Sequence, residues 1–204
     1  MEVIYIRYRN MLKMLKHRGY EIPEIPKYKN FFQEYKDLPI EEVKDKMGIT
    51  CSNKKQKQIQ VLWINGKMGI DEFKKIYESI ITTDIKQLIF VCEEKNTIHT
   101  TNAISMVKKT SGIKIEIFMD VELGYCPVEH ELVPTHILCS KKQEKEILKS
   151  FPDKSKYPLI LSSDVIAKYL GAEKGQIIKI IRPSMTMPSI PDHNFTNISY
   201  RLVI

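Results

Sequence analysis

Cysteine and glycine are scarce in this 204-residue chain, four and eight respectively, and no long apolar run occurs. Each scarcity removes a class of protein. Cys51, Cys92, Cys126 and Cys139 are widely spaced, and a chain of this length needs no disulfide staples, so reduced thiols in an intracellular compartment are expected. No stretch approaches the roughly 18 apolar residues that span a bilayer, and the N-terminus does not read as a signal segment. The expectation is a soluble, non-secreted protein with no membrane partner. Gly66 and Gly69 lack the lysine–serine ending of a nucleotide-binding loop, so no cofactor is expected. Internal repeats, low-complexity tracts and the aromatic–basic interleaving of single-strand binders are also missing.

What remains is 43% hydrophobic and 28% charged, enough for one or two globular domains with real cores. The net charge of +7 suits a partner of nucleic acid or of acidic protein surfaces, although many lysine-rich proteins are merely well solvated.

Tyr8, Met11, Leu12 and Leu15 recur at helical spacing, and His17, Arg18 and Gly19 close that helix. Pro23 and Pro26 then break the chain, and Asn30 is the expected cap of a second helix. From 59 to 119 the pattern alternates between strands and helices. Strands are expected over 59–64, 88–92 and 113–117, with helices capped by Asp71 and Thr101 between them. That order argues for an α/β unit with right-handed crossovers. The pattern breaks around 124–127, which sets a boundary. Beyond it, Ser140 and Gln143 form a capping box for a helix bearing Ile147, Leu148 and Phe151. A short helix ends at Gly171, and strands are expected over 177–182 and 199–203.

Two chemical constellations arise. Cys126, His130, His136 and Cys139 supply four zinc-type donors, but without the paired spacing that aims two ligands from one turn, so no metal is assigned. Asp84 and Glu93-Glu94-Lys95 echo the carboxylate–lysine arrangement of Mg²⁺-dependent restriction-type nucleases. This is the enzymatic alternative, although Asp84 precedes its strand. The basic residues best placed to touch phosphate are Lys54, Lys55 and Lys57, with Lys95, Lys108 and Lys109 on or near loops at the sheet ends.

A more specific signal comes from three ordered motifs. Glu129-His130-Glu131-Leu132-Val133-Pro134-Thr135-His136 is followed by Lys174-Gly175-Gln176-Ile177-Ile178-Lys179-Ile180-Ile181-Arg182-Pro183-Ser184, and then by Ser199-Tyr200-Arg201-Leu202-Val203. Together with the run from Ser163 to Gly171, they resemble the C-terminal assembly domain of the fifth-largest subunit common to eukaryotic nuclear RNA polymerases, and of its archaeal counterpart. Arg18-Gly19-Tyr20, Met68-Gly69-Ile70 and Leu88-Ile89-Phe90-Val91 match the family's N-terminal half more weakly.

The resemblance implies an α+β fold. A jaw domain over 1–125, α/β with a small mixed sheet, precedes a compact β-rich assembly domain over 126–204. It implies a subunit with no chemistry of its own, docked on the largest polymerase subunit near the small sixth subunit and flanking downstream duplex DNA. The residues then expected to contact partners are His130, Glu131, His136, Lys179, Arg182, Ser184, Tyr200 and Arg201. Two departures stand out. Residues 95–99 replace a proline-containing loop that approaches DNA in the family, and 185–197 form a longer insert before the last strand. With the Lys/Ile-rich composition, these are similar to a version from a large cytoplasmic DNA virus, such as the asfarvirus relatives. Such a protein would work in host cytoplasm and virion, and a cellular one in the nucleus.

Overall fold

The computed structural model describes residues 1–183 and 196–204. Ser184 and the expected insert as far as residue 195 lie outside the described residues. The chain divides into two compact units, Met1–Tyr125 and Cys126–Ile204.

The first unit opens with α1 (Glu2–His17), whose Met11, Leu12, Met14 and Leu15 are wholly buried. Gly19 takes the left-handed conformation (φ 84°) that turns the chain into β1 (Tyr20–Glu21). Helix α2 (Tyr28–Tyr35) begins after Lys27 and not at Asn30, because the extended backbone beyond Pro26 ends one turn earlier. A third helix, α3 (Ile40–Lys46), leads to β2 (Ile49–Asn53) and β3 (Gln58–Ile64), an antiparallel hairpin. Then follow α4 (Ile70–Ile81), β4 (Ile85–Cys92), α5 (Ile98–Ser111) and β5 (Lys114–Met119).

Caps differ from expectation in both crossover helices. Gly69 caps α4, its N–H donating to Glu72 at 3.3 Å, while Asp71 lies inside the first turn. Thr97 caps α5, accepting from the Thr100 N–H at 3.2 Å, while Thr101 donates back to the Thr97 carbonyl at 2.9 Å.

The sheet runs β1-β2-β3-β4-β5, antiparallel through β3 and parallel from β3 to β5. Because each crossover steps to the next strand with the same hand, α4 and α5 share one face. There Phe73, Ile80 and Ile104 pack on Leu88, Phe90, Cys92 and Ile115. On the other face of β5, Arg18 forms a two-toothed pair with Glu116, at 3.0 and 2.7 Å, and lies over the Phe118 ring. Burial alone would raise the Glu116 carboxyl, but Arg18 and then Lys114 hold it below its usual value.

The second unit contains β6 (Thr135–Leu138), α6 (Lys141–Ser150), β7 (Leu159–Ile160), α7 (Val165–Tyr169), β8 (Ile177–Pro183) and β9 (Thr196–Val203). The described strands lie in the order β6-β8-β9-β7. The expected capping box forms: Ser140 accepts from the Gln143 N–H at 3.4 Å, and Gln143 accepts from the Ser140 N–H at 2.9 Å. Ser140→Ala should lower the stability of this unit by about 1 kcal/mol, read from the urea midpoint by circular dichroism. Asp164 caps α7 by accepting from Ile166 and Ala167, and Gly175 (φ 86°) makes the turn into β8.

Candidate docking and nucleic-acid interfaces

Antiparallel partners project to the same face of a sheet, so register decides which side chains meet. His136 lies opposite Ile180, which in turn faces Ser199; Arg201 lies opposite Ile178, and Arg182 opposite Asn197. These residues share the face on which α7 sits, where Ala167 packs with Ile160, Ile178, Ile180 and Val203. Lys179 lies opposite both Ile137 and Tyr200 on the other face. There α6 covers Ile177, Cys139 and Tyr157 through Ile147 and Leu148. The expected contact residues are therefore divided: His136, Arg182 and Arg201 on one side, Lys179 and Tyr200 on the other. His130 and Glu131 lie apart, exposed in the turn before β6, where the His130 ring accepts from the Leu132 N–H at 3.2 Å.

Each helix leaves part of its face open. Beside Tyr200, the end of α6 and the strand β9 enclose a groove of about 500 Å³ lined by Phe151, Pro152, Tyr157, Pro158 and Ile198. Helical spacing puts Phe151 on the buried stripe of α6, but it follows the last turn and is 64% exposed. Ile137 (40%) and Ile198 (44%) extend the open apolar surface. Period-2 alternation could have marked Ile198, since it has the same parity as Tyr200; nothing local marks Phe151 as exposed.

The zinc-type donors are engaged elsewhere. Cys126 Sγ lies 3.2 Å from the Tyr169 hydroxyl, His136 Nδ1 lies 2.6 Å from the Pro134 carbonyl, and Cys139 is buried. Among the described residues, no group of three His, Cys, Asp or Glu side chains converges on a common point.

The nuclease arrangement does not assemble either. Asp84 precedes β4 and Glu93 follows it, so the extended chain across that strand separates them by about 30 Å at roughly 3.3 Å per residue. Glu93 instead joins three elements: it pairs with the buried Lys44 of α3 and accepts from the Gly66 N–H at 2.7 Å. These two partners depress its pKa, Lys44 most.

The candidate phosphate contacts fall at the two ends of the first sheet. Lys54, Lys55 and Lys57 occupy the β2–β3 turn, where the Asn53 side chain accepts from the N–H of Lys55 (2.9 Å) and of Lys57 (3.1 Å). All three are exposed. Lys108 and Lys109 lie in the last turn of α5, which returns to the start of β5. Lys95 lies at the far end, in the loop after β4.

Residues 126–203 match the family described as RNA polymerase Rpb5, C-terminal domain. This match covers the whole second sheet and both helices that flank it. Similarity to known proteins extends well beyond that domain. Subunit RPABC1 of DNA-directed RNA polymerases I, II and III from Caenorhabditis briggsae is 28% identical over 96% of this chain and 93% of its own length. The rpabc1 subunit of Dictyostelium discoideum is 31% identical over 59% of this chain and 61% of its own length. Subunit 5A of DNA-directed RNA polymerase V from Arabidopsis thaliana is 25% identical over 86% of this chain and 80% of its own length. The α+β architecture expected from the sequence is present, with two sheets each flanked by helices.

Proposed function

We propose that this chain is a non-catalytic subunit of a multisubunit DNA-directed RNA polymerase. Residues 126–204 dock it on the largest polymerase subunit, near the small sixth subunit, while residues 1–125 support downstream duplex DNA. The observation that carries this reading is the extent of the likeness: a polymerase subunit is matched across 96% of the chain, and the Rpb5 domain occupies 126–203.

The docking unit offers what such a contact needs. Cationic and aromatic side chains lie beside uncovered apolar surface on a sheet stiffened by a helix on each face. Of the expected contact residues, Lys179 and Tyr200 have the strongest support, because both line grooves on the α6 face. The protein acts where its polymerase acts, in host cytoplasm and virion for a viral enzyme or in the nucleus for a cellular one.

The test is affinity purification of the tagged full-length chain from the cells that express it, followed by mass spectrometry. Near-stoichiometric recovery of the two largest polymerase subunits is expected. Lys179→Glu combined with Tyr200→Ala should lower that recovery by tenfold or more, as loss of about 1.4 kcal/mol or more at a contact centre requires. Recovery of the chain without any large polymerase subunit would sink the reading.

A further inference from the structure

The sequence contains one Asn–Gly pair, Asn65-Gly66, in the connection between β3 and α4. Asn65 is exposed, and Gly66 takes the left-handed conformation (φ 69°) with open space where a Cβ would stand. Asparagine is a thermolabile residue, and before glycine no side chain shields the backbone nitrogen that attacks it. In that reaction the Gly66 N–H gives its proton to base and the nitrogen attacks Cγ of Asn65. The bond from Cγ to Nδ2 breaks, and ammonia leaves with a proton from water. The five-membered imide that results takes up water at either carbonyl, leaving aspartate or isoaspartate at position 65.

The nitrogen this chemistry needs is one that Glu93 holds. The Gly66 N–H donates to Oε2 of Glu93 at 2.7 Å, and the Gly66 carbonyl accepts from the N–H groups of Glu93 and Glu94, both at 3.0 Å. Two residues on, the Met68 N–H donates to Oδ1 of Asn96 at 3.1 Å, and the Met68 carbonyl accepts from the Thr100 hydroxyl at 3.3 Å. The β3–α4 and β4–α5 connections are thereby joined along their length. Oε1 of Glu93 is in turn paired with the buried Lys44. Lys44 and then the Gly66 N–H hold the Glu93 carboxyl below its usual range, so it is a carboxylate at every pH at which the reaction runs.

We propose that Asn65 is a site of spontaneous deamidation and that Glu93 is the residue that restrains it. Two effects act together. A carboxylate at hydrogen-bond distance opposes removal of the Gly66 proton, which would leave two negative charges in contact. A charge-assisted hydrogen bond must also be given up before the nitrogen can move onto Cγ. Whatever draws Glu93 away from Gly66 therefore starts a change that the chain cannot itself reverse. Either product adds a carboxylate to the turn that Glu93 holds, and isoaspartate lengthens its main chain by one atom. The proposal does not depend on the polymerase-subunit reading.

The experiment ages the full-length chain in mildly alkaline buffer and follows the peptide carrying position 65 by mass spectrometry, with chromatography to separate the two products. Wild type in urea supplies the unrestrained rate. Lys44→Met/Glu93→Ala removes the restraint together with the buried charge that Glu93 would otherwise leave unpaired. Under conditions where its circular dichroism matches wild type, it should deamidate at Asn65 at least about tenfold faster, the factor equivalent to about 1.4 kcal/mol. Lys44→Met alone, which keeps the Gly66 contact, and Asn96→Ala, which frees only the neighbouring Met68 N–H, should both stay near the wild-type rate. Folded wild type that converts as fast as the urea sample would overturn the proposal, whatever the stability of the variants. So would a double variant as slow as wild type, an equal acceleration in Asn96→Ala, or conversion chiefly at another asparagine.

Discussion

Replacing Arg18 by alanine is expected to cost the N-terminal unit about 3–5 kcal/mol, the range for stripping one partner from a buried ion pair. Arg18 and Glu116 are 6% and 13% exposed at their side chains, so water cannot replace the lost guanidinium. Lys114 stays 3.6 Å from the same carboxylate, which places the expectation in the lower half of that range. The chain's single tryptophan, Trp63, is buried in β3 of this unit, and its fluorescence during urea unfolding reports the change. A loss below about 1 kcal/mol, the level of an exposed surface pair, would show the pair to be solvated.

The same pair predicts a pH dependence. Folding lowers the Glu116 pKa below 4.5, so the unfolded chain takes up the proton more readily. The stabilisation is complete above that value and is lost as pH falls through the lower, folded one. Without Arg18, burial is opposed by Lys114 alone, so the depression weakens and the variant loses less as Glu116 is protonated. The gap between wild type and Arg18→Ala should therefore narrow below about pH 4. Adding Glu116→Gln to the variant should recover part of the loss at neutral pH.

Phe90→Ala carries the second large effect, again about 3–5 kcal/mol. Phe90 is fully buried at the centre of β4, in register with Leu62 on one side and Ile117 on the other. Its ring meets that of Phe73 edge to face at 6.1 Å and 71°, a contact worth about 0.5–1.5 kcal/mol beyond area. Both neighbouring strands are tied to β4 by ladder hydrogen bonds, so the space left by the ring cannot close by a shift of backbone. Phe90→Leu, which keeps most of the volume, should cost clearly less. Equal losses for the two variants would mean that the site relaxes freely.

How much of this was legible in the sequence varied with the length of each signal. Long periodic stretches were readable: α1 through Met11, Leu12 and Leu15, and the buried run of β4. Helix starts slid by up to a turn, because Thr97, Thr100 and Thr101 can all cap in isolation and only tertiary packing chooses Thr97. The strands β1 and β7 have two residues each, too few to show a period. The helix α3 leaves no readable signal because it is short and buries a lysine, Lys44, whose partner Glu93 lies 49 residues away. For the sites, residue types were legible but their grouping was not. Whether Lys179 and His136 share a face depends on strand pairing, which no local pattern encodes.

The strand order of the first sheet has a last consequence. Its five described strands lie side by side in the sequence in which the chain lays them down. Small ligands on open α/β sheets usually settle where neighbouring connections diverge to opposite sides and leave a crevice at the strand tips. Here both connections travel on the same side, so no such crevice opens, and the strand tips offer no pocket of the kind that holds a small ligand.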